Sequence, residues 1–180
     1  MTFISNLING ISLGSVYAII ALGYTMVYGI AKMLNFAHGD VIMVGAYMSY
    51  CATAYLGLPA WVSVIIAMIV CTLLGVVIEA AAYKPLRKAG SLAVLITAIG
   101  VSYLLQNVAL LIWGSNPKAF TSIVPFGALK LFAGELTITP ESILTVISCV
   151  IIMIALTVFT KKSKMGKGMR AVSEDKDAAE

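Results

Sequence analysis

Five stretches of this chain carry no charged side chain and are long enough to matter in a bilayer: Leu7–Ala31, Val41–Leu58, Ala60–Ile78, Ser91–Gly114 and Ser142–Thr160. At about 1.5 Å per residue, roughly 20 helical residues cross a hydrocarbon core about 30 Å thick. Val41–Leu58 is borderline by that measure and the other four qualify. Lipid offers no hydrogen-bond partners, so only helices or closed barrels span it, and apolar runs that are continuous rather than alternating read as helices. The composition agrees: 61% of the residues are hydrophobic and 11% charged, with a mean hydropathy of +1.00. A soluble chain of this size has too little interior to hide so much apolar surface. A soluble enzyme, a disordered tail and a nucleic-acid-binding module are therefore excluded. The first run is no removable signal peptide, because Met1–Asn6 has no positive charge and the run is too long. The expected fold class is all-α, a polytopic transmembrane helical bundle of about five spans.

Orientation follows from the twelve Lys and Arg. Lys84, Arg87 and Lys88 follow the third run, and Lys161, Lys162, Lys164, Lys167, Arg170 and Lys176 follow the fifth. Both clusters belong on the cytoplasmic side by the positive-inside bias, and the two spans between them are consistent with that. Counting back puts the N-terminus outside and Lys32 inside, leaving only Lys118 and Lys130 outside. The topology is N-out, C-in, with residues 1–160 as the membrane region and 161–180 as a cytoplasmic segment.

The longest external segment, Ser115–Glu141, contains Pro117, Pro125 and Pro140, which forbid a continuous helix. Within it, Leu129–Phe132, Ala133–Glu135 and Leu136–Thr139 read as a short hairpin. It is either a docking surface for an external partner or a passive connector. Small residues recur at helix-contact spacing in Gly10-x-x-x-Gly14, Gly45-x-x-x-Ser49, Cys71-x-x-x-Gly75 and Ala98-x-x-x-Ser102. Cys51, Cys71 and Cys149 all lie in apolar runs without ligand-like spacing and read as small buried hydrophobes, so no metal site is expected.

The outstanding polar feature is Asn35-Phe36-Ala37-His38-Gly39-Asp40, which holds the chain's single histidine between two apolar runs. Three readings fit. It is a broken helix lining a polar pathway, since irregular backbone at membrane depth is tolerated beside a cavity. It is a proton relay through His38 and Asp40. Or it is a cytoplasmic turn in which Asp40 caps the next helix. Tyr103, Gln106 and Asn107, close together in the fourth run, either line a route for a polar solute or glue helices together. No nucleophile–base pair, zinc-ligand cluster or G-x-x-x-x-G-K-[ST] loop is present, so catalysis is not expected and ATP hydrolysis would fall to another chain.

After Thr160 the character changes. Lys161–Lys167 is a basic juxtamembrane anchor, and Gly168–Glu180 reads as a cytoplasmic amphipathic helix with Met169, Val172 and Ala179 on its apolar side. Gly166 and Gly168 would let the chain turn before that helix. The helical pattern stops without a Gly or Pro signal, which suggests a truncated chain.

Gly14-Ser15-Val16-Tyr17-Ala18-Ile19-Ile20-Ala21-Leu22-Gly23-Tyr24, followed by Asn35–Asp40, resembles the N-terminal signature of branched-chain amino-acid ABC transporter permeases of the LivH type. Tyr83–Arg87, Ile99–Asn107 and Gly166–Asp175 with Asp177-Ala178-Ala179 are similar to later segments of that family. The resemblance covers nearly the whole chain. It implies a multi-pass subunit of the bacterial inner membrane that binds no cofactor itself. It further implies a second, LivM-type permease, two cytoplasmic ATPase subunits that hydrolyse ATP, and a periplasmic binding protein delivering leucine, isoleucine or valine. Asn35, His38, Asp40, Tyr103, Gln106 and Asn107 are then candidates for the translocation pathway. Gly168, Met169, Arg170, Val172, Glu174, Asp175, Ala178 and Ala179 are candidates for ATPase coupling. Family members continue with further spans, so the chain looks like the N-terminal portion of such a permease. A related permease for a sugar, urea or a short amide, and a proton-coupled secondary transporter, are the alternatives.

The topology makes a direct prediction: a cysteine placed at Lys118 is labelled by an impermeant reagent from outside, and one placed at Lys88 is spared. The reverse pattern overturns it.

Overall fold

The structure is a computed structural model that describes residues 2–31, 34–86, 89–119, 129–131 and 136–174. Its elements are α1 (Thr2–Ala31), α2 (His38–Ala54), α3 (Ala60–Ile78), α4 (Ser91–Trp113), β1 (Leu129–Leu131), β2 (Leu136–Ile138), α5 (Pro140–Lys162) and α6 (Lys164–Glu174). Helix α3 runs on through a π-helical turn, Glu79–Tyr83, and a 3₁₀ turn, Lys84–Leu86. Among the described residues, α1, the continuous run Ala60–Leu86, α4 and α5 are long and apolar enough to cross a membrane. Helix α2, with 17 residues, is shorter. The chain divides into two compact units, Met33–Thr121 and the pairing of Met1–Lys32 with Ser122–Glu180.

In the unit Met33–Thr121, α2 and α3 are antiparallel neighbours. Ser49 and Ser63 share a hydroxyl–hydroxyl bond of 3.1 Å near one end, and the Cys71 thiol donates to the Val41 carbonyl, 3.4 Å away, near the other. Gly45 permits the close approach, because a Cβ there would lie 2.7 Å from the Cys71 sulfur. The connection turns at Gly57, whose φ of +62° is open to glycine at no steric cost. Helix α4 runs parallel to α2. Asp40 bonds Ser102 near the start of α2, and further along Trp113 Nε1 donates to Cys51 Sγ at 3.1 Å while its indole stacks on Tyr47. A core of Ile78, Tyr83, Val94 and Ala98, flanked by Val41, Leu74 and Leu105, joins the three helices.

In the other unit α1 packs on α5 and α6. Ile8, Ile11 and Ser12 line a crevice with Ser142, Ile143 and Val146, near the start of each helix. Because α6, beyond the far end of α5, also touches α1, the two long helices run parallel. The expected hairpin is present: β1 and β2 pair antiparallel with Leu129 opposite Ile138 and Leu131 opposite Leu136, and the intervening residues 132–135 lie outside the described set. Pro140 opens α5 at its first position, where a missing N–H costs nothing.

Several expectations need correction. The third α-helix spans Ala60–Ile78 as expected, but it is prolonged through irregular turns to Leu86. Pro85 has no N–H and its ring would collide with the carbonyl of residue 81, so the helix widens into a π turn before it stops. Helix α2 starts three residues earlier and ends four earlier than Val41–Leu58. Of the small-residue pairs, Gly10 and Gly14 have no atom of another segment within 4 Å of a Cβ position, and neither does Gly75. The basic anchor and the amphipathic helix are not successive pieces, because α6 already begins at Lys164. Gly166 and Gly168 are interior to α6 and make no turn. The chain breaks at Ser163, whose backbone is extended (φ −78°, ψ 152°) and whose hydroxyl accepts from the Gly166 N–H at 2.8 Å. Asp175, Ala178, Ala179 and the rest of 175–180 lie outside the described residues.

Gly166 is required for close contact: a Cβ there would sit 2.5 Å from the Phe159 carbonyl oxygen and from Thr160 Cα, which are backbone and cannot swing aside. Gly166→Ala is expected to lower stability by about 1–3 kcal/mol. Gly168→Ala, with nothing within 4 Å, should raise it by about 0.5–1 kcal/mol. Thermal unfolding of the two variants in detergent checks the contrast.

Candidate functional site

The polar residues of the Asn35–Asp40 segment do not stay at a helix end. Asp40, in the first turn of α2, is buried to 9% exposure. Its carboxylate accepts from the Ser102 hydroxyl at 2.5 Å and from the Gln106 amide at 3.1 Å. Gln106 also donates to Ser102 Oγ at 3.2 Å, closing a three-residue network. Ser102 is the twelfth of the 23 residues of α4, so the network lies about 16 Å from either end of that helix. The start of α2 therefore sits beside the middle of a span-length helix. A carboxylate so placed is costly unless each oxygen is hydrogen-bonded. Hydroxyl and amide donors meet that need without a cation.

The irregular backbone before α2 is satisfied locally. Asn35 Oδ1 accepts from the Ala37 N–H at 3.1 Å, the Asn35 carbonyl accepts from the His38 N–H at 3.2 Å, and the Tyr83 hydroxyl donates to Asn35 Oδ1 at 2.8 Å. Asn35 thus forms an Asx turn, and Tyr83 ties that turn to α3. Tyr83 closes the π turn and is buried to 7% exposure. An extra residue per turn of this kind re-aims a side chain, which is a recurring use of π-bulges.

The candidate residues therefore separate. Asp40 and Gln106 belong to one network, with Asp40 inside and Gln106 at its exposed edge, and Asn35 belongs to the separate turn held by Tyr83. Tyr103 and Asn107 do not join it: at about 100° per residue they lie roughly 100° and 140° around α4 from Ser102. Tyr103 is 63% exposed, and the Asn107 amide folds back onto the Tyr103 carbonyl at 2.7 Å. His38 is two positions from Asp40, about 200° away on the same helix. Its side chain is half-buried. The capping role for Asp40 fails as well, because Ala37 is the N-cap and no side chain caps the helix. Ser102 and Tyr83 are the site residues that spacing missed. The sequence marks Ser102 only as a small packing residue within a family-like segment, and Tyr83 only within another such segment.

In the Ser122–Glu180 part of the chain, α6 packs against α5 and α1. Gly166 is buried and Met169 and Val172 are half-buried, whereas Gly168, Arg170, Ala171 and Glu174 are exposed. The apolar side therefore leans on its own unit.

A charged group tied into the middle of a span, beside broken helix and satisfied backbone, is an arrangement of polytopic transport proteins. The family model for the permease component of branched-chain amino acid transport systems matches residues 6–180. The chain belongs to this family, one of multi-pass membrane transport components and not of enzymes. It is 39% identical to the high-affinity branched-chain amino acid transport system permease protein BraD of Pseudomonas aeruginosa, over 96% of this chain and 60% of that protein. The permease proteins LivH of Salmonella typhimurium and of Escherichia coli are 40% and 39% identical, each over 96% of this chain and 59% of their own length. The chain thus spans about 60% of the curated relatives it matches. No solved structure matches it.

If the network fixes α2 to α4, Ser102→Ala removes one of the two donors to Asp40 and is expected to destabilise by about 1–3 kcal/mol. Asn107→Ala breaks only a bond within its own helix and should stay within about 0.5 kcal/mol of the parent. Denaturant unfolding in detergent distinguishes the two.

Proposed function

We propose that the chain serves as a permease subunit of an ABC importer for branched-chain amino acids. The observation that carries this reading is the Asp40–Ser102–Gln106 network half-way along α4, in a chain whose relatives are named as high-affinity branched-chain amino acid permease proteins. Asp40 and Gln106, with the Asn35 turn below them, line the translocation pathway or its inner gate. His38 lies at the mouth of the broken helix. Tyr103 and Asn107 face outward from α4 and contribute to contact with the second permease or with lipid.

The importer would contain a LivM-type second permease, two ATPase subunits that hydrolyse the ATP, and a periplasmic binding protein that delivers the solute. This chain holds no cofactor in that scheme. A five-span, N-out, C-in topology is supported by helix direction. Within one unit α1 and α5 run parallel, and within the other α2, α3 and α4 alternate in direction; an odd number of crossings requires α2 to count as one despite its length. It is also supported by chemistry: Tyr55 and Trp61 stand at one end of α3, where interfacial aromatics belong, and Lys84 lies beyond the other. Residues 1–160 then form the membrane region, with the hairpin outside and 161–180 in the cytoplasm. Coupling falls to α6 and the residues after it. Because Met169 and Val172 lean on their own unit, the ATPase would meet the exposed C-terminal end of α6 at Ala171 and Glu174, beyond the basic residues, with Gly168 and Arg170 at the rim; Asp175, Ala178 and Ala179 are further coupling candidates.

A proton-coupled mechanism through His38 and Asp40 is disfavoured by the angle between them on α2. The full-length permease decides the matter. A pull-down from membranes should retain an ATPase and a second permease, and Asp40→Asn should reduce labelled-leucine uptake about ten-fold or more, the equivalent of one lost charged hydrogen bond. His38→Gln should have a smaller effect. Unchanged uptake in Asp40→Asn, with normal assembly, removes the pathway assignment; uptake of a sugar or an amide instead of leucine changes the solute.

A further inference from the structure

Helix α6 carries two stripes, of which its packing explains only the apolar one. Lys164, Lys167 and Arg170 recur every three residues, and Met165, Met169 and Val172 recur at intervals of four and three. At about 100° per residue the two stripes lie on opposite sides of the helix. With Lys161 and Lys162 at the end of α5, the segment 161–170 holds five cations, all exposed, and the first acid after Glu141 is Glu174. Lys164 and Lys167 stand in the first turns of α6, where the helix dipole disfavours positive charge. The stripe therefore does not serve the helix itself.

The position of α6 indicates what offsets it. The chain breaks at Ser163 immediately after the apolar run of α5, and Gly166 is pressed against the backbone of Phe159 and Thr160. Helix α6 is thus folded back beside the last turn of a membrane-length helix instead of projecting away from it. Met165, at 67% exposure, extends the apolar stripe beyond what its own unit covers.

We infer that α6 lies in the membrane interface and that Lys161, Lys162, Lys164, Lys167 and Arg170 bind the headgroups of anionic phospholipids. The apolar stripe faces the acyl boundary and α5, and the long basic side chains reach sideways to the phosphates. Clusters of this size next to a membrane helix attract anionic lipid additively, one cation at a time, within a Debye length. The inference rests on α5 as a membrane span and is independent of the solute carried.

The test reconstitutes the full chain, without any ATPase, in nanodiscs of phosphatidylcholine alone or with about 30 mol% phosphatidylglycerol. Amide hydrogen exchange is then followed by mass spectrometry across residues 161–174. Exchange in α6 should slow about ten-fold or more when phosphatidylglycerol is present, and the protection should vanish at about 0.5 M salt. The triple variant K164Q/K167Q/R170Q should lose most of the phosphatidylglycerol effect, while K118Q, remote in sequence, should keep it. Equal exchange in the two lipids, or protection undiminished in the triple variant, overturns the inference. Exchange in α5 serves as the internal check that each variant is inserted and folded.

Discussion

A carboxylate held half-way along a helix long enough to cross a bilayer is the constraint from which the Met33–Thr121 unit follows. An ionised group there is tolerated only with its oxygens bonded, and Asp40 meets that condition through Ser102 and Gln106. The bond pins the first turn of α2 against the centre of α4. The residues just before α2 are irregular, and their backbone groups are bonded locally. Asn35 accepts from the Ala37 N–H and offers its own carbonyl to His38. Tyr83 can reach Asn35 because α3 does not stop at Ile78 but widens into a π turn ahead of Pro85. Asp40 thus sets the register of α2 on α4, while Asn35 and Tyr83 tie the break before α2 to the irregular end of α3.

Elsewhere the packing obeys the rules of lipid rather than those of water. Between helices in a bilayer there is little hydrophobic driving force, so contacts depend on close approach and on hydrogen bonds. Large apolar side chains such as Leu73, Leu111 and Ile154 remain exposed, as suits a surface against acyl chains. The close contacts fall instead at Gly45 against Cys71, Ser49 against Ser63 and Gly166 against the backbone of Phe159 and Thr160. Gly166 is the most confined of these, because its neighbours are main chain. It sets how tightly α6 follows α5, and through that how far the basic stripe stands from the end of the span.

Most of the long apolar helices are legible in the residues, because uncharged apolar length is a property of the chain and needs no partner. Ala60–Ile78 and Ser91–Trp113 fall where the runs fall, and the Leu129–Ile138 hairpin lies between its turn signals. The resemblance of Asn35–Asp40 and Ile99–Asn107 to permease segments agrees with the family match. Asn35, Asp40 and Gln106 could be singled out for the same reason: polar side chains inside apolar sequence are conspicuous. The partners of those side chains were not legible. Ser102 is one more small residue in a helix until Asp40 is seen to be 2.5 Å from it, 62 positions earlier in the chain. Tyr103 and Asn107 looked equivalent to Gln106 by composition, and only the direction in which α4 faces α2 separates them. The same holds for α6, where spacing identified an apolar side but tertiary packing determined that Met169 and Val172 turn toward their own unit. Length, charge asymmetry and hydropathy are sums over neighbouring residues, so sequence alone determines them. Which face of a helix is inside depends on contacts between distant segments, and that is decided only when the helices pack.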